Sequence, residues 1–180
     1  MEEQKNLEKM QNLLPILSVF TFGGIFGFIY EELFYLVDLG YLVKRGTTFG
    51  PWIPIYGFGA VLIVLITKRW RQNPFAIFGI SMLVCGMVEF VTGYVLYHMT
   101  ETRLWDYNIE IWNWGNVGGY ICLRSVLFFG MSGLFLMYMV YPIILFLQKK
   151  CASITFCFLT IVPAMFFAAD ILLSLLSRRI

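Results

Sequence analysis

Apolar residues gather in five runs, near residues 13–37, 53–67, 75–98, 120–147 and 154–176, and polar or charged stretches separate them. A helix needs about 20 apolar residues to cross the ~30 Å hydrocarbon core of a bilayer. The first, third, fourth and fifth runs meet that length, so each predicts a membrane helix. The second is short, and it crosses only if the residues before it enter the membrane with it. Those residues, 45–60, hold Gly46, Gly50, Pro51, Pro54, Gly57 and Gly59. Proline fixes φ and lacks a donor while glycine loosens the backbone, so the stretch predicts a loop, re-entrant if it dips into lipid. Irregular backbone at membrane depth has to be covered by protein or by a water-filled cavity.

The charges between the runs orient them. Five crossings with a cytoplasmic N-terminus put Lys68, Arg69 and Arg71, and then Lys149 and Lys150, on the inner side, as the positive-inside rule demands. Lys44 and Arg45, with Arg178 and Arg179 at the far end, then fall outside, against that rule. Four crossings with a re-entrant second run would return the C-terminus to the inside, but would put Arg45 on the same face as Lys68, Arg69 and Arg71. The expectation is an all-α, multi-pass bundle of about five helices over 13–176 in the plasma membrane, with a cytoplasmic tail at 1–12 and a short tail at 177–180. No small-residue cleavage site follows the first run, so it is expected to stay as a helix.

Composition agrees. Of 180 residues 59% are hydrophobic and 13% charged, with a mean hydropathy of +0.77; soluble domains lie nearer 45–50% and 25%. The lipid bilayer is the first partner. A net charge of +2 without a long basic run gives no footing for nucleic acid. Cys85, Cys122, Cys151 and Cys157 form no CxxC pair and His98 is the sole histidine, so neither a metal site nor a disulfide framework is expected, and no cofactor. His98 and the five tryptophans, Trp52, Trp70, Trp105, Trp112 and Trp114, suit an interfacial aromatic belt. No Walker A, GxSxG or HExxH motif is present, and the expectation is not an enzyme.

Chemistry would have to come from ionisable groups inside the apolar runs. Gly23 and Gly27 make a small-xxx-small spacing through which another helix can approach. Glu31 and Glu32 interrupt the first run, and at least one should face protein or water. Under five crossings Glu31, Glu89 and Arg124 lie roughly 8 to 14 Å below the outer boundary at 1.5 Å per residue, which predicts a buried cluster that carries one negative charge or takes up one proton. A buried salt bridge that only fixes helix register fits equally well. The loop that starts near Asp38 and the Trp105-Asp106-Tyr107 loop meet on the outer face in this arrangement, with Arg45 and Asp106 at the rim. Asp106 suits an ordinary turn or cap just as well. Asp170 is a further embedded acid with no motif beside it.

The order of motifs resembles one family. Gly27-Phe28-Ile29-Tyr30-Glu31, Arg45-Gly46, Gly50-Pro51, Pro54-Ile55-Tyr56-Gly57-Phe58-Gly59, Glu89-Phe90-Val91-Thr92-Gly93, Trp105-Asp106-Tyr107 and Asn116-Val117-Gly118-Gly119-Tyr120-Ile121-Cys122-Leu123 are similar to the ABC-transporter permease family of the CmpB type, over about residues 16–145. The resemblance implies a small polytopic bacterial membrane protein and points at Glu31, Arg45, Pro54, Tyr56, Gly57, Glu89, Trp105, Asp106, Tyr107 and Asn116. Tyr120 departs from it, since a basic residue is expected there; Arg124, on nearly the same helix face, would substitute. Residues 108–115, with Trp112-Asn113-Trp114-Gly115, depart as well.

The function expected is transporter-like: a permease component whose binding or translocation site combines Glu31, Arg45, Tyr56, Glu89, Trp105, Asp106, Tyr107, Asn116 and Arg124. At this size it would act as a homo-oligomer or with another membrane subunit, driven by a separate ATPase. The alternatives are a sensor or scaffold that docks an envelope partner, and an intramembrane enzyme acting on lipid headgroups with Glu31 or Asp106 as general base.

Overall fold

The computed structural model describes the backbone of residues 2–177 and the side chains of residues 12–177. The regular elements of the described chain are helices, the longer ones α1 (Glu2–Leu39), α2 (Pro54–Thr67), α3 (Pro74–Thr100), α4 (Leu123–Phe135), α5 (Tyr141–Lys150) and α6 (Ser153–Ser177). Of the two forms open to the N-terminal segment, a short helix or a tail, it takes the helix from Glu2 onward, and Arg178 and Arg179 lie outside the described residues.

Among the described residues four helical spans are long and apolar enough to cross a membrane, Asn12–Leu39, Pro74–Thr100, Leu123–Lys150 and Ser153–Ser177. The protein is a helical membrane bundle. The third of these spans joins α4 to α5 through a π turn at Leu136–Val140. Pro142 explains that turn: it has no N–H to offer the carbonyl of Tyr138 and its ring would collide there, so one residue is added to the turn. The second apolar run, α2, has 14 residues and rises only ~21 Å.

Local chemistry sets the boundaries. Asn73 caps α3 by accepting from the Ala76 N–H at 3.1 Å, with Pro74 at the first position where its missing donor costs nothing. Glu101 closes α3 at φ 55° and donates its N–H to the Tyr97 carbonyl. The Pro54-Ile55-Tyr56-Gly57 stretch, expected as loop, is the first turn of α2, because proline at a helix start is pre-organised. The fourth apolar segment begins at Leu123 and not at 120, because Val117 and Ile121 pair in an isolated β-bridge just before it.

The chain divides into two units. The first comprises Met1–Glu31, Arg45–Val61 and Met139–Ile180, the second Glu32–Lys44 and Leu62–Tyr138. In the first unit Gly23 and Gly27 let α2 close on α1, as their spacing predicts. A methyl at Gly23 would lie 2.7 Å from Ala60 Cβ, one at Gly27 would enter the Tyr56 ring, and one at Gly57 would lie 2.8 Å from the Phe20 carbonyl oxygen. Phe167 of α6 is fully buried and stacks on Phe20 (4.9 Å between centroids) and on Trp52 (5.0 Å). The stacking of Phe20 and Trp52 on the buried Phe167 makes this an aromatic centre of the unit. In the second unit α3 and α4 pack through Gly130, which faces Phe78 and Met82, and Gly133, which faces Ser81.

Candidate functional site

In the first unit two carboxylates hold the link between α1 and α2. Glu31, eight residues before the end of α1, accepts from Arg45 Nε at 3.0 Å and from the Tyr56 hydroxyl at 3.0 Å. Asp170 of α6 accepts three bonds from the same link: the Phe49 N–H at 2.9 Å, the Gly50 N–H at 2.6 Å and the Trp52 indole N–H at 2.6 Å. Bonds to an ionised carboxylate are about twice as strong as neutral ones, so residues 45–53 are an ordered strap. The backbone is tied into the core as well, since the Ile53 N–H donates to the Gly24 carbonyl at 2.9 Å and the Thr48 hydroxyl to the Trp52 carbonyl at 2.6 Å. A shallow cavity of about 160 Å³ lies between strap and α6, lined by Thr47, Thr48, Pro54, Ile171, Ser174 and Leu175.

The second unit gathers the other acids around Tyr107. Glu89, midway along α3 and 6% exposed, accepts from the Tyr107 hydroxyl at 2.6 Å through Oε1 and contacts Ser125 Oγ at 2.9 Å through Oε2. Glu110, from the loop at 101–122 and 7% exposed, pairs with Arg124 at 2.7 Å and accepts from the Tyr35 hydroxyl. The Arg124 guanidinium lies 3.8 Å from the Phe34 ring centroid and 5.3 Å from that of Tyr107. Tyr107 lies outside the spanning helices. Burial, and then the charge of Glu89, push its phenol well above the ordinary value of 10.0, so it remains a donor.

The loop presents Tyr107 and Glu110 through a dense set of bonds. Tyr107 donates its N–H to the Gly119 carbonyl at 3.1 Å and accepts at its own carbonyl from Asn113 Nδ2 at 2.9 Å. Asn116 bridges Asn108 Oδ1 and the Gly119 N–H, both at 2.8 Å. Gly119 adopts φ 80°, and a methyl there would collide with Arg103, Asp106 and Asn108 together. Trp105 donates its indole N–H to the Tyr120 carbonyl at 3.0 Å and lies against Gly93, where a methyl would be 2.9 Å away. Asp106 accepts from the Asn108 N–H at 3.0 Å and its side chain at 2.6 Å, and faces Arg103 at 3.7 Å. That is the turn role. Asp38 of α1 accepts from the Ile111 N–H at 3.0 Å, so the loop meets the start of the α1–α2 link at that point.

The residues expected together are thus distributed. Glu31, Arg45 and Tyr56 join within the first unit; Glu89 and Tyr107 join within the second, beside Arg124. The ion-pair partner of Arg124 is Glu110, which the sequence reading gave no role. The guanidinium stacked on the Tyr120 ring is that of Arg103, 4.7 Å from its centroid and 4.6 Å from Tyr97, with Nη1 donating to the Gly118 carbonyl at 2.9 Å. Gly46, at φ 80°, has the left-handed conformation its position in a strap requires, with Gly50 and Pro51 following it before Pro54 starts α2; Gly57 and Gly59 are helical. Asp170 was visible as an embedded acid but not its partners, and Glu110, Ser125, Asp38 and Arg103 were given no role: Glu110 and Arg103 belong to a loop, Asp38 lies in the last turn of α1, and Ser125 is a common core hydroxyl.

A family model described as "Putative ABC-transporter type IV" (ABC_trans_CmpB) matches residues 18–175. Comparison with curated proteins found no match, and comparison with solved structures found none.

Proposed function

The chain belongs to the ABC_trans_CmpB family, described as "Putative ABC-transporter type IV", and from that premise we propose that it is the membrane-spanning component of a plasma-membrane transporter driven by a separate ATPase chain. It works as a homo-oligomer or with a further membrane subunit, N-terminus in the cytoplasm, and has no catalytic chemistry of its own. The observation that carries the reading is Glu89. A carboxyl at the middle of the spanning helix α3, 6% exposed and contacted from both the 101–122 loop and α4, is costly to keep and belongs to a path for polar cargo or to its gating. Glu31, Arg45 and Tyr56 supply a second polar group at the strap.

Isolated from membranes in mild detergent, the tagged chain brings with it an ATP-hydrolysing subunit, and Glu89→Gln changes ATP turnover of that complex several-fold with its composition intact. A strict monomer, or a complex without an ATPase, overturns the proposal. Docking of an envelope partner is the second reading, and the exposed Ile109, Trp112 and Trp114 on an otherwise well-bonded loop favour it. There Glu89→Gln leaves complex formation and turnover unchanged.

A further inference from the structure

We propose that the 101–122 loop lies in the lipid headgroup layer and is a lipid-contact surface, with Ile109, Trp112 and Trp114 set against the acyl chains. The height of the loop follows from its anchors. α3 has 27 residues and rises ~40 Å, against a hydrocarbon core of ~30 Å. Even with the whole excess on the loop side, Glu89, 11 residues before the helix end, stays ~6 Å inside that core. The Tyr107 hydroxyl donates to Glu89 at 2.6 Å, so the loop folds back alongside α3 and does not stand above it. Trp105 lies against Gly93 on the same stretch of α3, and Glu110 reaches Arg124, the second residue of α4. Backbone at such a level has to find its partners within the protein. It does: the Tyr107 N–H donates to the Gly119 carbonyl, the Val117 N–H to that of Ile121 and the Leu123 N–H to that of Trp114 at 2.7 Å.

What the loop turns outward at this level is apolar. Ile109 stands between the inward-reaching Tyr107 and Glu110 and is 84% exposed, and Trp112 and Trp114 are more than half exposed. The tryptophans divide by the use of their N–H. Trp52 and Trp105 donate theirs to Asp170 and to the Tyr120 carbonyl, whereas among the described residues the Trp112 and Trp114 indoles have no acceptor. An apolar ring with a free N–H is the side chain that collects at headgroup level. Trp112 also has φ 53°, where glycine would be unstrained, so the backbone gives no reason for tryptophan at that position. The surface continues into a spanning helix: Asp38 accepts from the Ile111 N–H at 3.0 Å, which sets this part of the loop beside the exposed Val37 and Leu39 at the end of α1. Charge adds no attachment. The loop holds no lysine, Arg103 faces Asp106 and Glu110 pairs with Arg124, which leaves Glu101. The contact is therefore with neutral lipid, made by buried apolar area and by indole bonds to headgroup oxygens.

The proposal rests on the bundle's place in a membrane and not on the ATPase, so the two readings fail separately; it gives to lipid the residues that would otherwise favour an envelope partner. It is tested by tryptophan fluorescence of the full chain reconstituted in phosphatidylcholine vesicles, as the difference between the wild type and a variant carrying Trp112→Phe and Trp114→Phe. That difference emission is quenched several-fold more by lipid brominated near the headgroup end of its acyl chains than by lipid brominated near the chain ends, and it resists iodide in the water. Ile109→Trp adds emission with the same pattern, and decides by itself if the double variant does not fold. Replacing part of the phosphatidylcholine by phosphatidylglycerol leaves the quenching unchanged. Emission quenched by iodide and not by brominated lipid places the loop in water, open to a protein partner, and overturns the proposal. Equal quenching by both brominated lipids, or quenching that requires phosphatidylglycerol, overturns it as well.

Discussion

Trp52 donates its indole N–H to Asp170 at 2.6 Å, and the same carboxylate takes the backbone N–H groups of Phe49 and Gly50. An acid from the last helix thus terminates the bonding of a strap more than a hundred residues earlier. Asp170→Ala removes the acceptor of three part-buried donors, two of them backbone N–H groups; at about 1–1.5 kcal/mol for each bond this costs on the order of 3–5 kcal/mol. Asp170→Asn keeps one acceptor oxygen and costs less. Thermal unfolding in detergent ranks them wild type, then Asn, then Ala, and limited proteolysis cuts residues 45–53 first in the Ala variant. Equal stability of all three would show that the strap does not depend on Asp170.

What the sequence disclosed follows from what each interaction depends on. Membrane helices follow from apolar run length, a one-dimensional property, and the α1–α2 approach from the Gly23 and Gly27 spacing within one helix. The partners of Asp170 depend on three dimensions: two of its three donors are backbone amides, which every residue possesses and no motif marks. Arg124 pairs with Glu110, an acid that comes from a loop and that counting along helices does not place. The Trp105-Asp106-Tyr107 motif was legible as a unit while its division of labour was not: Asp106 makes the turn that lets Tyr107 point to Glu89.

Glycines in this bundle separate into those that make room and those that do not. Gly23 lies 2.7 Å from Ala60 Cβ, measured to the methyl it lacks, and 2.8 Å from the Tyr56 carbonyl oxygen, while Gly79 in α3 has nothing within 4 Å. Gly23→Ala forces α1 and α2 apart and destabilises by about 1–3 kcal/mol. Gly79→Ala gains helix propensity at no steric cost and stabilises by about 0.5–1 kcal/mol. Melting temperatures in detergent should move in opposite directions; a shift in the same direction would contradict the packing described here.

Ser81 is fully buried between α3 and α4, and its hydroxyl has no hydrogen-bond partner. An unsatisfied buried hydroxyl costs about 1–3 kcal/mol relative to an apolar group of similar shape. Ser81→Ala keeps the Cβ that Gly133 accommodates and removes the oxygen, so it raises stability by about 1 kcal/mol. A lower melting temperature for Ser81→Ala would mean that the hydroxyl has a partner in solution.

Tyr107 gives the bundle an alkaline limit. Its phenol, raised first by burial and then by Glu89, holds its proton in the folded state well above 10.0, while the unfolded chain releases it near that value. The folded state then binds more protons than the unfolded one, so this contribution is complete below pH ~10 and is lost as pH rises through 10 toward the native value. Other tyrosines titrate in the same range, so the quantity to measure is the difference between wild type and Tyr107→Phe. At neutral pH the Phe variant is less stable by about 1.5–3 kcal/mol, having lost the donor to Glu89. Above pH ~10 the gap narrows, since only the wild type retains the proton-linked loss. A gap that stays constant from neutral to strongly alkaline pH would place the phenol in contact with solvent and break its link to Glu89.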